Sequence, residues 1–267
     1  MAPEAAFIEE FCTACMEGDL PKVQKALDSG LTTRTLEKGL SHATLAAHPD
    51  VVAALFDAGA PMTALTISSL GGIDGEQHPD VVRHYLDHGL NPNCTTSNRE
   101  PLLRFLNAAC ARELLMRGAD PNRCGPKKRA PLAAALASAR PDETSLFDLL
   151  VEYGAKVEPS LFFEAIRPRV VHGEFKTKFL LDKGLDPNTT SSEWGTPLHR
   201  AAYIAKEEIV HILLDGGADP SARSHCRHFG DKSPSEVVET RLKYCPKIPE
   251  LLASNQAILE LLQRDQR

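Results

Sequence analysis

Apolar residues recur along this chain in paired short runs at helical spacing, most cleanly between Thr196 and Ser221. Leu198, Ala201 and Ala202 make a narrow stripe, and Ile209, Val210, Leu213 and Leu214 make a second one. The spacing predicts a first helix from Pro197. Thr196 is its N-cap, and proline sits at the first helical position, where a missing N–H costs nothing. A second helix is predicted from about Lys206, ending at Gly216 in a left-handed C-cap. Asp219-Pro220 then forces turn or extended backbone.

The rest of the chain is looser copies of this stretch. Glycines that would end a second helix fall at 30, 59, 89, 118, 154, 184 and 216, close to a period of about 33 residues. The residues before them rhyme, as in Tyr85-Leu86-Asp87-His88 and Leu180-Leu181-Asp182-Lys183. Four are followed by turn-forming triplets: Asn91-Pro92-Asn93, Asp120-Pro121-Asn122, Asp186-Pro187-Asn188 and Asp219-Pro220-Ser221. The expected units are 5–30, 33–59, 61–89, 100–118, 130–154, 159–184, 196–216 and 233–264, in one domain spanning 1–267 with a C-terminal capping helix. Connections after Gly30, Gly59 and Gly154 are short, so the count is seven or eight.

The Thr196-Pro197-Leu198-His199 opening and the Leu213-Leu214-x-x-Gly217-Ala218-Asp219 close resemble the ankyrin repeat. Cys15 to Val23, with Gly18-Asp19 at an inter-helix turn, carries a second signature of that family. The resemblance implies an all-α fold, a solenoid of helix-turn-helix units with short β-turn fingers. Fingers and first helices would line a concave groove. With packed helices about 8–10 Å apart, eight units would extend on the order of 70–80 Å. It also implies that His199 joins the hydrogen bonds fixing a finger, and that partners contact finger tips and the exposed side of first helices. The chain is similar to short ankyrin-only regulatory proteins such as those of fungi, some of which are transcription co-regulators.

Composition narrows the function. Aromatics make up 6% and there is one tryptophan, which suits small helices packed by Leu and Ala better than a large enzyme core. A net charge of −6 argues against direct nucleic-acid binding. No apolar run approaches the roughly 20 residues of a membrane span. The acidic N-terminal segment has no basic region of the signal-peptide kind. Seven cysteines, several inside predicted helices, read as reduced thiols in a cytoplasmic or nuclear protein, expected to be a monomer.

No phosphate loop, dinucleotide fingerprint, nucleophile elbow or zincin motif occurs, so no catalytic residue and no cofactor is expected. Cys12 and Cys15 lack a second pair. His225, Cys226 and His228, with Cys245, fit no standard zinc spacing, but they keep a metal-dependent sensor or enzyme as an alternative. His84, His88 and Asp80 share one helix, where a polar outer face explains them.

Function then rests on surface positions. By alignment, Glu193 and Trp194 sit at a finger tip, with Arg200 and Tyr203 on the exposed part of the following helix. Trp194 either contacts a partner, as tryptophan does at hot spots, or stiffens its own finger. Arg99, Lys127, Lys128, Arg129, Arg223 and Arg227 put basic charge on finger segments of an acidic protein. That pattern points to an acidic partner surface or peptide, against the reading that these charges are simply solvated. Pro126-Lys127-Lys128-Arg129 also has the form of a minimal nuclear-import sequence. A non-enzymatic protein-interaction scaffold is the expected function. A ubiquitin-ligase substrate adaptor is the alternative, although 242–267 lacks a Leu-Pro-rich docking box.

Overall fold

A computed structural model describes residues 3–72, 76–137, 144–244 and 249–264. Contacts divide the chain into two compact units, Met1–Ala135 with Asp142–Ala155, and Leu136–Pro141 with Lys156–Arg267.

The first unit runs through α1 (Pro3–Glu17), α2 (Leu20–Asp28), α3 (Thr33–Leu45), α4 (Pro49–Asp57), α5 (Ala64–Ser69) and α6 (Pro79–Asp87). A 3-10 turn at Leu102–Phe105, α7 (Ala108–Met116), α8 (Pro131–Leu136) and α9 (Thr144–Glu152) follow. First helices pack on first helices, α1 on α3 and α3 on α5; second helices pack on second helices, α2 on α4, α4 on α6, α6 on α7 and α7 on α9. Each helix buries one stripe between the layers, for example Val81, Val82, Tyr85 and Leu86 of α6. Tyr85 is fully buried, and its hydroxyl bonds Thr44 Oγ1 at 2.8 Å and donates to the Thr66 carbonyl at 3.3 Å. In the expected unit 100–118, the first helix is reduced to the four-residue 3-10 turn.

The second unit holds α10 (Leu161–Ala165), α11 (Gly173–Asp182), α12 (Pro197–Tyr203) and α13 (Glu207–Asp215). A hairpin of β1 (Ser224–Cys226) and β2 (Gly230–Lys232) precedes α14 (Pro234–Tyr244) and α15 (Pro249–Arg264). The same two layers form, α10–α12–α14 and α11–α13–α15. The hairpin is antiparallel, with Ser224 opposite Lys232 and Cys226 opposite Gly230.

Local chemistry explains the element ends. Thr196 caps α12 as expected, and His199 closes a capping box with it. The expected left-handed cap at Gly216 is displaced by one residue. Gly216 has φ −80°, and Gly217, at φ +88°, takes the left-handed position. A Cβ on Gly217 meets nothing within 4 Å, so backbone conformation is what glycine supplies there.

Asparagines tie successive units together at the finger edge. The Asn93 amide donates to the Gly118 carbonyl at 3.1 Å and accepts from Asp120 N–H at 2.8 Å. Asn122 donates to the Gly154 carbonyl at 2.8 Å. In the second unit Asn188 donates to Gly217 at 2.9 Å and accepts from Asp219 N–H at 2.7 Å.

Candidate interaction surfaces

In the second unit the finger at 191–195 closes on itself, with Ser191 and Gly195 exchanging backbone bonds of 2.7 and 3.0 Å. It then docks on the next finger: Arg227 N–H donates to the Ser192 carbonyl at 2.9 Å, and His228 Nδ1 lies 3.0 Å from the Glu193 carbonyl. His199 fixes the base of this arrangement. Thr196 O–H and N–H point to its Nδ1 at 2.8 and 3.3 Å, which leaves Nε2–H to donate to the Lys232 carbonyl at 2.9 Å. Burial pulls the His199 pKa below its ordinary value, against the opposing pull of the Lys232 carbonyl.

Trp194 is half-buried against Cys226, Phe229 and Val237. The His228 ring stacks on the indole at 4.0 Å, and the Arg200 guanidinium lies over it at 4.2 Å. Two groups that close to one centroid take opposite faces, so the indole plane is covered on both sides. Arg200 departs from its expected placement. It is 7% exposed rather than on an open helix face, because its Nε–H donates inward to the Ile166 carbonyl at 2.6 Å. Burial, then nearby Arg167, lowers its pKa, while Glu164 and Glu193 raise it. Tyr203 remains 40% exposed, and Glu193 is exposed at the tip.

The basic residues have different settings. Arg223 is not a free cation. Its guanidinium bonds the Asp231 carboxylate at 3.0 Å and the Asp231 carbonyl at 2.8 Å, and reaches Glu236 at 3.4 Å. Arg227 is exposed on the hairpin, and Arg99 is exposed in the left-handed conformation. Lys127 and Lys128 are exposed, and Arg129 is half-buried. A buried carboxylate shapes this loop. Glu100, 2% exposed, accepts from Lys127 N–H at 3.0 Å and pairs with Arg104. Burial raises the Glu100 pKa, but the Lys127 amide and the Arg104 side chain outweigh it and hold the carboxyl below the usual range. Lys128 N–H closes a turn onto the Gly125 carbonyl at 2.9 Å, with Lys128 at φ +51°. Glu100 and Arg104 stand at i,i+4, an ion-pair spacing readable in sequence, but the burial of Glu100 and its hold on the Lys127 N–H come only from the return of the 123–129 segment onto residue 100.

The histidines and cysteines are dispersed. His225 is exposed beside Asp231, Cys226 is buried, His228 stacks on Trp194, and Cys245 lies outside the described residues. Among the described residues no three His, Cys, Asp or Glu side chains are placed to hold one metal ion. Burial pushes the Cys15 and Cys110 thiols up to about 12, and raises Cys12. That disfavours the thiolate, the nucleophilic form, at each of these positions.

A family model described as ankyrin repeats in many copies matches residues 174–224. Across a solved human ASB11 ankyrin repeat domain, this chain superposes with a TM-score of 0.53 and 20% identity, covering 94% of this chain and 96% of that one. The chain has the fold of an ankyrin-repeat domain, and residues 174–224 match the repeat family itself. It is 49% identical over 45 residues to mouse 2-5A-dependent ribonuclease, which covers 16% of this chain and 6% of that protein. It is 27% identical over 175 residues to human ankyrin repeat and MYND domain-containing protein 1, covering 57% of this chain and 17% of that protein. Ankyrin repeats bind other proteins through the surfaces their stacked units present. Among the described residues no helix is long and apolar enough to cross a membrane.

Proposed function

We propose that this ankyrin-repeat protein is a non-enzymatic interaction module, regulatory in role, whose partner presents an acidic surface. The Lys127–Lys128 turn carries this reading. Two lysines stand exposed on a loop whose backbone is pinned by the buried Glu100, in a protein of net charge −6. A preformed turn avoids part of the ordering cost of binding, and surface charge of one sign speeds encounter with its opposite. In the second unit, Tyr203, Glu193 and the covered Trp194 offer a rigid aromatic-edged finger for contact. A transcription co-regulator fits this description, with Pro126–Arg129 as its import sequence on an accessible turn.

The test is association kinetics with a partner captured from the native cell. Reversing Lys127, Lys128 and Arg129 to Glu should slow association about tenfold or more at low salt and flatten its salt dependence. An unchanged rate and salt slope would overturn the charge-steered reading.

A further inference from the structure

Beside the Trp194 finger, the last ankyrin unit forms a cleft of about 270 Å³. Its floor is Phe229 and Val237, 8% and 3% exposed. Tyr203 and Tyr244 stand at its rim, the latter 83% exposed. Lys232 and Arg241 supply its charge, and among the described residues no carboxylate lines it. Of the acids near Lys232, Asp231 holds Arg223, Glu236 accepts from Ser233 N–H at 2.8 Å, and Glu239 is exposed in the adjoining depression, outside the cleft. Arg241 lies over the Tyr203 ring at 5.3 Å, and its Nε is buried with no hydrogen-bond partner.

These features define a complementary ligand. An unpartnered buried donor costs free energy until an acceptor reaches it. Guanidinium and ammonium with no internal counter-ion call for a carboxylate, and Arg241 can receive one in fork geometry. Apolar floor and aromatic rim call for a ring or branched aliphatic side chain. The volume is below the roughly 300–1,000 Å³ of small-molecule and cofactor pockets, which favours a single anchoring side chain of a longer chain.

We propose that this cleft receives a short acidic segment of a partner protein. An aromatic or leucine side chain rests on Phe229 and Val237, and an adjoining Asp or Glu carboxylate meets Arg241 and Lys232. This rests on the reading of the protein as an interaction module and assigns that module a specific ligand chemistry.

The probe is a phage-displayed library of random 12-residue peptides, selected on the full chain. Enriched peptides should place Asp or Glu beside an aromatic or leucine. Synthetic copies should bind at least tenfold more weakly to Arg241→Gln, and to Tyr244→Ser, whose exposed side chain can be removed without loss of folding. Substituting Gln for the acidic residues of the peptide should weaken binding similarly. Enrichment without acidic residues, no enrichment, or equal binding by both variants would overturn the proposal. A native partner captured equally by wild type, Arg241→Gln and Tyr244→Ser would remove the cleft assignment and leave the interaction reading standing. Wild type capturing nothing above an unrelated control would remove that reading itself.

Discussion

Replacing His199 with Gln should weaken the second unit at neutral pH and cost progressively less as the solution is acidified. The imidazole is fully buried; its Nδ1 receives the Thr196 O–H and N–H, and its Nε2–H holds the Lys232 carbonyl. A glutamine amide can still reach that carbonyl but leaves the buried Thr196 N–H without its acceptor, a loss of about 1–3 kcal/mol. The pH dependence follows from linkage. The folded-state pKa of His199 is lowered from 6.5, so the unfolded chain binds the extra proton first as pH falls. Wild-type stability is therefore fully present above about pH 6.5 and declines below it, by at most about 1.4 kcal/mol at pH 5.5 for a single proton. The variant escapes that decline. Urea unfolding followed through Trp194, the only tryptophan, reports on this unit. With a slope of about 2 kcal/mol/M, the variant's midpoint should fall by roughly 0.5–1.5 M at pH 7.5, and the gap should shrink at pH 5.5. Midpoints are compared, not intensities, because His228 stacks on the indole at 4.0 Å and colours its emission. An identical gap at both pH values would refute the lowered pKa of the buried imidazole.

Gly125→Ala would drive a Cβ to within 2.3 Å of Glu100 Oε2, so the 123–129 turn must shift. Faster hydrogen exchange at the Lys127 amide should report the broken bond; unchanged protection would mean that Glu100 does not hold the turn. Gly217→Ala should cost about 1–2 kcal/mol through left-handed strain. Gly216→Ala meets the movable Leu181 methyls at 2.8 and 3.1 Å and the Ile212 carbonyl oxygen at 3.2 Å, and with no left-handed φ to strain it should cost less in the same denaturation assay.

Helix pairing was legible in the sequence because each pair is a local event: apolar spacing, a Thr cap and a glycine stop lie within one unit. Thr196, Pro197 and the stripe of Ile209, Val210 and Leu213 all took their expected places. Between the adjacent glycines 216 and 217, spacing could not choose; the left-handed φ falls on the second, whose N–H closes onto the Leu214 carbonyl at 2.9 Å. The surface was harder to read because its contacts join residues about 30 positions apart. Arg200 looked like a groove residue until the Ile166 carbonyl appeared beside it. The charge of Arg223 is engaged by Asp231, while Arg241, in the expected cap, and Lys232, in the finger before it, line the cleft with no ion pair among the described residues.

The asparagine clasps at Asn93, Asn122 and Asn188 bear on how the molecule can change in length. They set the rise between successive helix pairs at the finger edge, whereas links inside a pair vary freely, from 46–48 and 204–206 to the longer 70–78 and 166–172. Foreign segments grafted into the long links should leave the spacing of the fingers intact. Removing even a few residues between Asn188 and Gly217 would pull one rung out of step with the next. Within each unit, growth of new loops is thus confined to the links inside a helix pair, away from the clasped finger edge.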